Sequence, residues 1–196
     1  MPGPPQHPAS ETLRRSEETL LVLAARAGDP TALGQLILRF ERPLIYYLRR
    51  LTASPEAALD VHQEVWLAVQ SSLPRLQSPE AFRGWLYRIA HDKAARFVRR
   101  EIAQEGRLLS WQTGQAELAE SPEDPALADA AAVHRALDDL PPLFREVLTL
   151  HYLRDLTLEE IATVLGCPVG TVKSRLYHAR HTLRQILESP AHEPHA

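Results

Sequence analysis

Leu158-Glu-Glu-Ile-Ala-Thr-Val-Leu-Gly-Cys-Pro-Val-Gly-Thr-Val-Lys-Ser-Arg-Leu-Tyr-His-Ala-Arg180 is the stretch on which the fold turns. Thr157 just before it and Glu160 within it have capping-box spacing: the threonine caps a helix and the glutamate reaches back. Ile161, Ala162 and Leu165 then share one face of a short helix. Gly166 can take the left-handed backbone that a tight turn needs, and Gly166-Cys167-Pro168 ends the helix there. A longer helix is expected from near Pro168 to about Glu188. In it Val172, Leu176, Ala179, Leu183 and Ile186 recur at steps of three and four and make one apolar stripe. Ala162 is small where the two helices would cross closely. The pattern is a helix-turn-helix.

The face left outward carries Thr171, Lys173, Ser174, Arg175 and His178. Such a helix places its N-terminal half in the DNA major groove. Lysine and arginine donate to guanine edges there, and serine and threonine reach bases or phosphates. The positive end of the helix dipole also favours phosphate. A structural hairpin with a solvated basic face would show the same pattern.

Upstream, helical periodicity continues almost throughout, with few β-branched alternations. Asp29-Pro30, Ser54-Pro55-Glu56 and Ser78-Pro79-Glu80 each read as a capping residue followed by proline in the first turn. They predict helices from Pro30 to about Leu51, from Pro55 to about Ser71, and from Pro79 to about Arg100. With a further helix near 17–27 they form one bundle over 17–104. Residues 105–128 hold Gly106, Gly114, Pro122 and Pro125 among acidic and small residues and read as a flexible linker. A second helical domain is expected over 129–188, with Pro141 in the first turn of a helix through Leu150. Residues 1–16, rich in proline, and 189–196 read as disordered tails. The fold class is all-α: two small helical domains joined by an acidic linker.

The 196 residues allow one large domain or two small ones, and 44% hydrophobic residues suffice for a core. Cys167 is the single cysteine, so no disulfide forms within the chain. No apolar run approaches the ~20 residues that span a bilayer, and the start lacks the pattern of a signal peptide. A cytoplasmic protein without membrane insertion is expected. The net charge of −3 hides an asymmetry. Lys173, Arg175, Arg180 and Arg184 meet no acid between Gly166 and Leu187, and Arg96, Arg99 and Arg100 crowd the end of the first bundle. Seven acids against Arg135 lie between Leu108 and Pro142. Two basic blocks separated by an acidic link suggest two surfaces that face polyanions.

The helix-turn-helix stretch resembles region 4 of the extracytoplasmic-function sigma factors, and Ala136-Leu-Asp-Asp-Leu-Pro-Pro-Leu-Phe-Arg-Glu-Val-Leu148 resembles its first part. Response-regulator DNA-binding domains share Gly-Thr-Val-Lys-Ser, so this match alone leaves two families open. Asp60-Val-His-Gln-Glu-Val-Trp66 and Phe82-Arg-Gly-Trp-Leu-Tyr-Arg-Ile-Ala-His91 resemble region 2 of the same sigma family, in the right order. The alternating strands and helices of a phosphoacceptor domain have no counterpart here.

The resemblance implies core RNA polymerase and promoter DNA as partners, commonly with an anti-sigma factor. It implies docking on the β′ clamp helices through Asp60, Gln63 and Glu64, which share a helix face. It implies contact of region 4 with the minus-35 element and the β flap. The loop Leu73-Pro-Arg-Leu-Gln-Ser-Pro79 falls where the family holds a flipped base of the minus-10 element, with Gln77 and Ser78 as hydrogen-bonding groups. Arg83, Arg88, Lys93 and Arg96 would follow the phosphate backbone. Trp85 stacks on a base or joins the core; Val61, Val65, Trp66, Phe82 and Ile89 serve the core. Asp92 stands where the family often has Asn, and a carboxylate cannot donate to phosphate. Leu76 stands where it often has Phe.

Two other classes compete. An enzyme is disfavoured: no Cys/His metal cluster, no phosphate-cradling glycine loop and no nucleophile elbow occurs, and no cofactor is expected. A helix-turn-helix regulator acting without polymerase docking leaves the region 2 motifs unused.

Overall fold

The computed structural model of the chain describes residues 8–105, 133–153 and 156–188. The expected linker beyond Glu105 and the tail over 189–196 lie outside them. The chain divides into two compact units. Among the described residues every regular element is a helix, and no helix is long and apolar enough to cross a membrane.

The first unit holds α1 (Pro8–Arg26), α2 (Pro30–Arg49), α3 (Pro55–Ser72) and α4 (Phe82–Glu105). Short 3₁₀ turns at Leu73–Arg75 and Pro79–Ala81 bracket the loop between α3 and α4. The first two caps form as the sequence predicts. The Asp29 carboxylate accepts from the N–H groups of Thr31 and Ala32, and the Ser54 hydroxyl accepts from Ala57. The third differs. Ser78 does not cap; its hydroxyl donates to Glu80 Oε2 at 2.8 Å, and α4 starts only at Phe82. A second difference is α1, which reaches back to Pro8, into the stretch expected as a tail. The prolines that gave that stretch its tail-like composition stand at 2, 4, 5 and 8, so none interrupts the helix after its first turn.

The core of this unit is where apolar stripes meet. Leu36, Leu44, Tyr47, Leu48, Val61, Val65, Leu73, Phe82, Leu86 and Tyr87 are essentially inaccessible. Tyr47 and Tyr87 meet edge to face at 5.3 Å and join α2 to α4, a geometry that adds ~0.5–1.5 kcal/mol to burial. Glu18 of α1 is also buried. Its carboxylate takes a bidentate pair from Arg83 Nε and Nη2 at 2.8 and 2.9 Å, with Arg39 Nε at 3.6 Å.

The second unit holds α5 (133–138), α6 (Pro142–Leu148), a π-type turn over Thr149–Leu153, α7 (Leu158–Leu165) and α8 (Val169–Glu188). Arg145 Nε and Nη2 donate to the carbonyls of Leu137 and Leu140, which satisfies acceptors at the end of α5. The capping box and the turn glycine of α7 form as the sequence predicts. Thr157 N–H donates to Glu160 Oε2 at 2.8 Å, and Glu160 N–H to Thr157 Oγ1 at 3.2 Å. Gly166 takes φ 61°. Val164 rather than Leu165 joins Ile161 in the core, and Leu183 and Ile186 are only half-buried at the end of α8.

Replacing Glu18 by alanine strips Arg83 of its bidentate carboxylate in a buried setting. Removing one partner of such a pair costs ~3–5 kcal/mol. Urea unfolding of Glu18→Ala should show a loss of that size, and Arg39→Ala, at longer range and more exposed, a loss below ~1 kcal/mol.

Candidate nucleic-acid interface

On α8, Val172, Leu176 and Ala179 are buried, and α8 packs on α6 and α7. That fixes the rotation of the helix and turns Lys173, Ser174 and His178 to solvent. Thr171 and Arg175 are half-buried at the edge of the same face. Arg175 Nη1 lies 3.9 Å from Cys167 Sγ in the preceding turn, so its guanidinium rests over the turn. His178 stacks on Phe144 at 6.5 Å and meets Tyr177 edge to face. Tyr177, 69% exposed, is missing from the sequence-predicted set. Its spacing could have found it: it stands four residues after Lys173, directly after buried Leu176. Arg180 lies over the Tyr152 ring at 5.4 Å.

In the first unit, the loop between α3 and α4 turns Leu76 inward and leaves Gln77 and Ser78 exposed. The buried Leu76 side chain anchors the loop, so it is no part of an open pocket. Arg26 was also missed. Its Nη1 donates to the carbonyl of Leu76 at 2.9 Å and approaches that of Gln77 at 3.5 Å. Glu80 beside the loop has its carboxyl held below the usual value by its own backbone N–H and by Ser78.

The basic residues of α4 separate into three groups. Arg83 was expected along the DNA backbone; it instead ties α4 to Glu18, because its position turns it toward α1. Lys93 and Arg100 turn toward α3, where Lys93 Nζ and Arg100 Nη2 donate to the two Glu64 oxygens at 3.2 and 3.1 Å. Arg88, Arg96 and Arg99 share an outward stripe with Asp92. Arg88 Nε pairs with Asp92 Oδ2 at 3.1 Å, four residues on, and both are about two-fifths exposed. Asp92 thus has a cation of its own beside it. Trp85 is half-buried next to Phe82, with ring centroids 5.9 Å apart, and Ile89 is half-buried too.

On α3, Asp60 and Gln63 are exposed. They line a shallow groove with Glu64, Leu67, Phe97, Arg100 and Glu101. Glu64 belongs both to this expected docking patch and to the ion pairs with α4. The Arg100 hydrogen bond, seconded by Lys93, holds its carboxyl below the usual range against the opposing effect of burial. Val61, Val65 and Trp66 are buried, as expected.

Two segments match known families: residues 36–103 match Sigma-70 region 2, and 130–183 match Sigma-70 region 4. The chain is 32% identical over 190 residues to the RNA polymerase sigma-H factor of Pseudomonas aeruginosa, covering 90% of this chain and 96% of that one. It is likewise 32% identical to the ECF RNA polymerase sigma-E factor of Escherichia coli over 85% of this chain and 92% of that one. The chain belongs to the extracytoplasmic-function branch of the sigma-70 family. CnrH, solved in complex with the cytosolic domain of CnrY, has 26% identity and a TM-score of 0.62, covering 88% of this sigma factor and 98% of that chain. RpoE of Bartonella quintana, solved with the anti-sigma factor NepR, shares the fold with a TM-score of 0.65 at 21% identity, over 80% of this chain and 97% of that one.

Beside the α3 patch, Trp66 Nε1 donates to His62 Nε2 at 3.0 Å, which requires that nitrogen unprotonated. Partial burial pushes the imidazole below its ordinary value, opposed by Glu41. The unfolded chain therefore takes up this proton more readily than the folded one. The stability carried by the contact is complete above the ordinary histidine range and is lost as pH falls through the lowered folded value. The melting temperature of wild type should fall more steeply than that of His62→Gln between about pH 7 and about pH 5; equal slopes would show that His62 contributes nothing.

Proposed function

We propose that this sigma factor docks on core RNA polymerase through the α3 patch and directs initiation by reading two promoter elements. Asp60 and Gln63 supply an exposed acid and amide for a basic partner helix, the β′ clamp helices in this family, while Glu64 shapes the patch from its pairs with Lys93 and Arg100. Gln77 and Ser78 take the minus-10 base. Arg88 and Arg96, with Arg99, follow the phosphates, and Trp85 borders that stripe. On α8, Thr171, Lys173, Ser174, Arg175 and His178 read the minus-35 element, joined by Tyr177. Region 4 also contacts the β flap. Polymerase docking places the protein in the cytoplasm. CnrH and RpoE, two similar proteins of known structure, were solved as complexes, RpoE with a protein named as an anti-sigma factor, and we extend that class of partner to this chain.

One observation carries the reading. Each unit presents an outward polar face on a helix fixed by its own core, and the two units match regions 2 and 4 in that order. Reconstitution with core polymerase and run-off transcription test it. A defined start that depends on this protein is expected; DNA binding without association with core enzyme would instead support a regulator that does not dock.

The double variant Lys173→Ala/Arg175→Ala should weaken binding to minus-35 DNA, each lost base contact costing ~1–3 kcal/mol. Unchanged affinity would place the reading helix elsewhere. Asp60→Ala/Gln63→Ala should compete poorly for core enzyme while leaving the DNA affinity of α8 intact, and normal competition would show the patch to be misplaced.

A further inference from the structure

The last residue of α1 touches the loop that carries Gln77 and Ser78. We propose that Arg26 is a positioning residue for minus-10 recognition, holding the Leu76–Gln77 backbone so that the loop presents its side chains to an extruded base; this rests on the reading of that loop given above.

The geometry is specific. The flanking turns close with their own hydrogen bonds, Leu76 N–H to Leu73 carbonyl at 3.0 Å and Ala81 N–H to Ser78 carbonyl at 3.1 Å. Between them, the carbonyls of Leu76 and Gln77 both face Arg26 Nη1, at 2.9 and 3.5 Å. With its carbonyl turned to α1 and the Leu76 side chain buried, the loop leaves Gln77 and Ser78 outward. Arg26 is itself held. Glu18, two turns earlier, is clamped by Arg83, and Gly28 at φ 97°, two residues on, turns the chain after the helix ends at Arg26. The loop is thus braced by a neighbouring helix that lies outside the segment matched to region 2.

The physical return is preorganisation. Extruding a base already costs a few kcal/mol, and a loop that must also be ordered on binding adds to that cost. A guanidinium nitrogen set against two consecutive carbonyls removes the second cost in advance.

The test uses holoenzyme and a fork-junction promoter probe. The non-template minus-10 strand carries each of the four bases, or an abasic site, at each position in turn. Wild type should prefer one base at the captured position by roughly tenfold, the worth of one good base contact. Arg26→Met keeps the apolar stem but no donor. It should reduce that preference to about twofold, within what a weakened single contact leaves, while binding the abasic probe as wild type does. Full preference in Arg26→Met overturns the proposal, as does equal weakening on every probe, which marks a merely structural role. If Arg26→Met melts well below wild type, Arg26→Lys, which keeps a donor on one nitrogen, decides: a preference restored toward that of wild type supports the proposal, and one no higher than that of Arg26→Met overturns it. Failure of the underlying reading looks different. Wild type and Gln77→Ala would then show the same base preferences at every position, and the proposal falls with the loop's role.

Discussion

A carboxylate in the core of the first unit must be neutralised where it sits, and Glu18 meets that constraint with Arg83 and Arg39. The three residues come from α1, α4 and α2. Apolar stripes can slide along one another at modest cost, but a bidentate guanidinium–carboxylate pair is satisfied at one register only. The pair therefore decides where α1 lies along α4. It thereby also decides where Arg26, two turns on, meets the loop between α3 and α4. A buried ion pair is weak evidence for net stability, since apolar residues of similar volume often do as well. Its value here is geometric.

Local chemistry made much of the fold legible in the sequence. Asp29, Ser54 and the Thr157/Glu160 box each form within a few residues of backbone, so reading them needs no tertiary knowledge. Gly166 belongs to the same class, because a left-handed turn is a property of one residue. Ser78 fails for the opposite reason. Nothing in Ser-Pro-Glu distinguishes a hydroxyl that caps a backbone from one that bonds the glutamate two residues on, and here the 3₁₀ turn selects the second. The start of α1 is hidden in composition, because the prolines that make residues 1–16 look like a tail all sit at the front of that stretch.

The site was legible by residue type and less so by role. Periodicity alone ranks Arg83, Arg88, Lys93 and Arg96 as one basic helix. Only the packing shows that Arg83 faces Glu18 and that Lys93 faces Glu64. These acids lie 65 and 29 residues away in the chain, so no local pattern reports them. Arg26 was invisible for the same reason: its partners are backbone carbonyls 50 and 51 residues on, and carbonyls leave no mark in a sequence. Tyr177 was within reach, since the stripe that buries Val172, Leu176 and Ala179 already implies which residues face away.

This sorting of cations bears on how a chain of net charge −3 can serve a polyanion. A cation bound to an internal acid has its field largely cancelled a few ångströms away, so Arg83 adds little to the potential over α4, while Lys93 and Arg100 share the single charge of Glu64 and its field offsets only part of theirs. What remains outward is Arg96 and Arg99, with Arg88 shared with Asp92. Phosphate approaching that stripe would compete with Asp92 for Arg88, so an Asn at the same place would leave the guanidinium less divided. The carboxylate therefore lowers the general, sequence-independent attraction of this face for DNA without removing the cation. Weak general attraction on one module raises the relative weight of the base reading proposed for the loop and for α8. A specificity subunit gains from that balance, because affinity for arbitrary phosphate backbone only increases the number of competing sites.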